Sequence, residues 1–160
     1  MTSISRRSVL ASFTVLCVIA PFGARLAAQS TSPPAAAKRV ALGGYDPVSY
    51  FTAGRPEKGS AEFLASFDDA TYWFKNADHR AMFVADPDRF APQYQGFCAM
   101  TVSRGAKAEA DPEAWTIADG KLYVFGAKQG VAAFKERSAG VLAKARENWT
   151  VLRDRPSSDM

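Results

Sequence analysis

Cysteine is nearly absent from this chain: 160 residues hold only Cys17 and Cys98. Cys17 lies in an apolar run near the N-terminus and is expected to leave with it. Leu16 before it is not the small residue that a lipoprotein cleavage site needs. Cys98 is then the one remaining thiol, and it cannot close an internal disulfide. Histidine is rarer still, with His79 alone. The missing Cys-x-x-Cys-His pattern argues against covalently attached haem. No Gly-x-Ser-x-Gly turn, phosphate-cradling glycine loop or His-Glu-x-x-His helix is present, so nothing affirmative points to catalysis. After Phe22 no apolar stretch is long enough to span a bilayer.

What is present begins with a leader. Ser5-Arg6-Arg7-Ser8 precedes an apolar run from Val9 to Phe22, and Ala27-Ala28-Gln29 offers small residues for cleavage. A charged head, a short apolar middle and a small-residue exit predict an export signal over residues 1–28, and the paired arginines suggest the twin-arginine route. The expected location is periplasmic or secreted. The segment carries three arginines and no acid; without it the 20 basic residues fall to 17 against 16 acidic ones, a net of +1. The basic character belongs to the leader, so no nucleic-acid partner is expected.

Residues 29–39, rich in Pro and Ala, predict a flexible linker, and 153–160 a disordered tail. Between them, 40–152 suffices for one domain. No internal repeat is evident. Asp46-Pro47 predicts a helix start running through Phe51. Glu62–Phe67 and Thr71–Lys75 flank a turn at Asp68-Asp69-Ala70, and Trp115–Ile117 and Leu122–Phe125 bracket Asp119-Gly120, which together predict two β-hairpins. Tyr72 and Phe74 should share one face and Trp73 the other. Helices are expected over Ala77–Ala85, around Cys98 within Gly96–Arg104, over Lys128–Arg137, and over Val141–Trp149 with a break at Gly140. The fold class is α+β: a small single domain of two β-hairpins and several short helices.

Asp46-Pro47-Val48-Ser49-Tyr50, Thr71-Tyr72-Trp73-Phe74, His79 through Phe83, Asp86-Pro87 and Phe90 resemble the YHS domain. Pro92 through Ala99, Asp111 through Trp115 and Asp119 through Tyr123 are similar to the exported bacterial branch of that family. The resemblance covers roughly Ala41 to Trp149. It implies metal handling, copper above all, through cysteine thiolates. Here Ser49 stands at the first cysteine position, Lys75 at the second and His79 at the third. A hydroxyl is a poor ligand for a soft metal, and an ammonium is none.

His79, Cys98 and Met100 remain as candidate metal ligands, since imidazole, thiolate and thioether together suit copper. Met82 is a further thioether. Cys98 and Met100 would share a face in an extended segment but not on a helix. The competing reading makes His79 a capping residue, Met82 and Met100 core fillers and Cys98 a small buried hydrophobe. Two functions follow: an exported YHS-like protein that binds or buffers a transition metal such as copper, or a non-metal binding or accessory module with an aromatic docking surface for another periplasmic protein or a small ligand. Trp73 and Trp115, exposed together, would mark that surface. A thiol enzyme using Cys98 needs an accessible sulfur.

Overall fold

The computed structural model describes residues 38–156. The expected leader, all of the linker but Lys38 and Arg39, and the last four residues of the expected tail lie outside them. The architecture is α+β, a small domain with two small sheets. In chain order it runs β1 (Arg39–Val40), a 3-10 turn (Ala41–Gly44), α1 (Ser49–Thr52), β2 (Ser60–Phe67), β3 (Ala70–Phe74), α2 (Ala77–Ala85) and α3 (Pro87–Phe90). A second 3-10 turn (Gln93–Gly96) follows, then α4 (Ala99–Val102), β4 (Asp111–Ala118), β5 (Lys121–Phe125) and α5 (Lys128–Leu152). Among the described residues no helix is long and apolar enough to cross a membrane.

The structure corrects the sequence expectation of no repeat: one backbone unit occurs twice. Val40 pairs with Thr71 in parallel, and Pro92 bridges Leu122 in parallel. Leu42 and Gly43 are left-handed at φ 55°, and so are Tyr94 and Gln95. Gly44 at φ 79° answers Gly96 at φ 80°. Tyr45 bridges Lys58 as Phe97 bridges Glu109. Both hairpins slip register at the same place, between Ser60 and Leu64 and between Asp111 and Trp115. Each turns on two residues of positive φ, Asp68-Asp69 and Asp119-Gly120, the geometry that follows the twist of antiparallel strands.

The cores repeat as well. Phe83 on α2 lies 5.0 Å from Tyr72 and 5.0 Å from Phe74, at 37° and 52°. Phe134 on α5 lies 5.3 Å from Tyr123 and 5.2 Å from Phe125, at 34° and 53°. Tyr72 and Phe74 are buried on one face of β3, and Trp73 lies on the other, partly covered, as strand alternation dictates. Two hydrophobic clusters result, one per unit, with Leu122 and Val124 of β5 lending themselves to the first.

Gly44 shows why one position tolerates no side chain. A Cβ there would stand 2.7 Å from Cε3 of Trp73, in a left-handed backbone. Gly44→Ala is therefore expected to destabilise the domain by roughly 2–4 kcal/mol, strain and overpacking combined, read as a lower urea midpoint. A loss below about 1 kcal/mol would mean that the indole moves aside at little cost.

Three boundaries differ from the sequence expectation. The first helix begins at Ser49, because Pro47 lies in the turn whose Val48 N–H the Asp46 carboxylate accepts. The break expected at Gly140 falls at Arg137 (φ −144°), which answers Asp86 (φ −148°) at the end of α2. The part of α5 after Arg137 is an added limb packed on α4. Arg153 and Arg155, placed by sequence in the tail, are held by Lys107, which donates to both carbonyls at 3.1 and 2.6 Å.

Candidate functional site

Asp46 is fully buried between the first 3-10 turn and α1. Oδ1 accepts the Val48 N–H at 2.8 Å, and Oδ2 accepts the Lys75 N–H at 3.0 Å. His79 Nδ1 lies 2.7 Å from Oδ2. Both oxygens already accept backbone N–H groups, so the ring nitrogen is the donor and carries the proton. His79 enters α2 by way of Asn76, whose side chain caps the helix by accepting the His79 N–H at 2.8 Å. The Nε2 atom is left without a hydrogen bond among the described residues.

Beside this pair stands a second ionic cluster. Lys75 Nζ lies 2.6 Å and Arg55 Nη2 3.0 Å from the Glu57 carboxylate. Lys75 first, then Arg55, hold the Glu57 carboxyl down at about 2, from 4.5. Ser49 Oγ is buried and completes no hydrogen bond. The three positions that the resemblance aligns with thiolate sites, Ser49, Lys75 and His79, all meet Asp46, the first two through backbone N–H groups, while the Lys75 ammonium is paired with Glu57. They do not fit a thiolate metal centre.

Glu57 has a pH signature. A carboxyl held below its unfolded value stabilises the fold above about pH 4.5, and that contribution disappears as pH falls toward 2. Glu57→Gln should therefore lower the melting temperature at pH 7, and the gap to the parent should close between pH 4.5 and 2. A gap independent of pH would remove Glu57 as its source.

Cys98 occupies in the second unit the place of Asp46 in the first. Its backbone N–H donates to Ala108 as that of Asp46 donates to Glu57, both at 2.9 Å. Its Sγ accepts the Gly126 N–H at 3.2 Å, as Asp46 accepts that of Lys75. The counterpart of His79 is Gly130, where a Cβ would already press on Phe125 at 3.1 Å. Cys98 is 5% exposed, within a cluster against which Met100 of α4 packs. The structure therefore places Cys98 and Met100 in the second unit, while His79 is tied to Asp46 in the first. Among the described residues no three His, Cys, Asp or Glu side chains form a ligand set. Trp73 lies over Gly44, and Trp115 packs edge-on against Tyr50 at 5.1 Å; each indole is partly buried.

What sequence reasoning missed is a cavity of about 560 Å³ where the two units meet. Tyr72 and Tyr123, equivalent residues of β3 and β5, both line it, with Tyr94 and Gln95 of the second 3-10 turn. Arg146 and Trp149 on the added limb of α5 complete the wall. Tyr72 Oη and Gln95 Nε2 are buried and have no hydrogen-bond partner. Burial pushes the Tyr72 phenol up strongly and that of Tyr94 to about 12, so both remain donors at neutral pH. No short motif marks this site, because its residues come from four separated segments.

Comparison with protein-family models, curated proteins and solved structures finds no match to this chain.

Proposed function

We propose that the protein is an exported, YHS-like binding module whose ligand enters the cavity between its two units. The observation that carries this reading is the cavity wall: Tyr72, Tyr94, Tyr123 and Trp149 line it together with Gln95 and Arg146, and two of these residues, Tyr72 and Gln95, keep a buried donor without a partner. A buried donor left unpaired costs about 1–3 kcal/mol, which a bound acceptor would return. The volume lies within the usual range for small-molecule sites, and five aromatic residues share the lining with seven charged or polar ones. Export is supported by the leader pattern of residues 1–28.

The test is native mass spectrometry after incubation with a mixed pool of small organic molecules. A bound mass is expected on the parent protein and not on Ala91→Leu, which places a larger side chain in the cavity wall. Failure of every member of the pool to bind, or equal binding to both proteins, would overturn the reading.

A second reading keeps a transition metal such as copper at His79, because Asp46 fixes Nδ1 and leaves Nε2 to act as a ligand. Cys98 and Met100 belong to the other unit, so it rests on the imidazole. A copper-dependent rise in melting temperature, lost in His79→Ala and kept in Cys98→Ser, would support it.

A further inference from the structure

The second 3-10 turn carries a residue that its counterpart avoids. Gln95 sits at φ 55°, where the first unit has Gly43 at φ 55°. A side chain in this left-handed region is strained, and such strain concentrates at functional positions. Gln95 adds a second unfavourable term, an amide nitrogen that is buried and unpaired. Glycine would relieve both, as it does in the first unit.

Charge within the cavity is graded from mouth to depth. Arg146, Arg153 and Lys121 line it against Asp68 and Asp88, an excess of one positive charge. Arg153 is committed to Asp68, and Lys121 Nζ donates to the Asp88 carbonyl at 2.9 Å. Arg146 is exposed and makes no ion pair or hydrogen bond among the described residues. Its positive charge acts on the phenols of both Tyr94 and Tyr123. Between this rim and the buried Gln95 and Tyr72, the walls are rings, with Tyr94 standing 5.5 Å from Trp149 and 6.2 Å from Tyr123.

We propose that the cavity binds a small planar organic acid, its carboxylate at the rim with Arg146, its ring against Tyr94 and Tyr123, and an uncharged oxygen at its far end accepting from Gln95 and Tyr72. This ligand class rests on the cavity reading above. Arginine matches a carboxylate with two parallel donors. Aromatic walls favour a flat body. The inner donors carry no charge, so they suit a hydroxyl or carbonyl oxygen better than a second carboxylate, which would be buried without a counter-charge.

The probes are 6-hydroxy-2-naphthoate and its neutral counterpart 6-hydroxy-2-naphthamide, titrated calorimetrically into the full chain. Molecules of this size are expected to bind with a Kd on the order of 1 mM or tighter. The acid should bind about tenfold more tightly than the amide, the ratio expected for one charge-assisted contact. Arg146→Gln should erase that ratio by weakening the acid far more than the amide. Gln95→Gly should raise the melting temperature of the free protein yet weaken both probes about tenfold, a combination that a purely structural glutamine would not produce. Equal affinity for acid and amide overturns the anion assignment and leaves the cavity reading standing. Saturable binding of neither probe overturns both. A fall in melting temperature for Gln95→Gly would make the glutamine structural and overturn its assigned role.

Discussion

Asp46→Ala should destabilise the domain by about 3–5 kcal/mol, since removing one member of a buried, hydrogen-bonded polar group strands the others. The carboxylate closes three segments at once: it accepts from Val48 at the start of α1, from Lys75 as the chain leaves β3, and from His79 on α2. Alanine leaves two N–H groups and a ring nitrogen facing an apolar interior. The second unit supplies its own control. Cys98 stands at the same place but makes one weak contact, the Gly126 N–H at 3.2 Å. Cys98→Ala should therefore cost only about 1–2 kcal/mol, a small cavity plus a weak hydrogen bond. Urea unfolding of the two variants side by side decides the matter. Equal losses would mean that the buried carboxylate adds nothing over a thiol. His79→Ala should fall between them, because Asp46 keeps both of its backbone donors.

The same comparison shows how much could be read from residues alone. α2 runs from Ala77 to Ala85 as its pattern predicts, because Asn76 caps it and Asp86-Pro87 stops it. Both hairpins were legible from aromatic strands around turn residues. The repeat was not, because the two units reach one backbone by different chemistry. Asp68-Asp69 turns one hairpin and Asp119-Gly120 the other, while Asp46 and Cys98 share a place but neither charge nor functional group. One trace survives in sequence: Tyr72-x-Phe74 with Phe83, and Tyr123-x-Phe125 with Phe134, at the same spacing. The candidate ligands could be named by type, but their separation could not. His79 and Cys98 lie in different copies of a unit whose existence only the backbone reveals. The cavity was equally hidden, since the left-handed backbone at Gln95 leaves no mark on a glutamine.

That surviving trace carries the second large effect. Phe134→Ala and Phe83→Ala should each destabilise the protein by about 3–5 kcal/mol, the range for a phenylalanine removed from a packed core. Each ring is 1% exposed and contacts the equivalent Tyr and Phe of its hairpin at nearly the same distances and angles. The hydrophobic transfer terms should thus match, and any difference must come from how far each neighbourhood collapses around the space left behind. The first unit has Phe67 in addition, 6.1 Å from Phe83 and edge-on to it, and Phe67 is only partly buried. It can turn inward. Phe134 has no such ring, since Ala118 stands at the strand position equivalent to Phe67. The larger loss is therefore expected for Phe134→Ala, by about 0.5–1 kcal/mol, within the spread seen at fixed chemistry. Phe67 also lines the cavity, so its inward movement in Phe83→Ala should alter binding of the naphthoate probe. Phe134→Ala should leave that binding intact at temperatures where the protein is folded. Urea midpoints at a shared m-value, with calorimetric titration of both variants, test the two halves of the expectation together. A greater loss for Phe83→Ala, or unchanged binding in it, would show that Phe67 stays where it is.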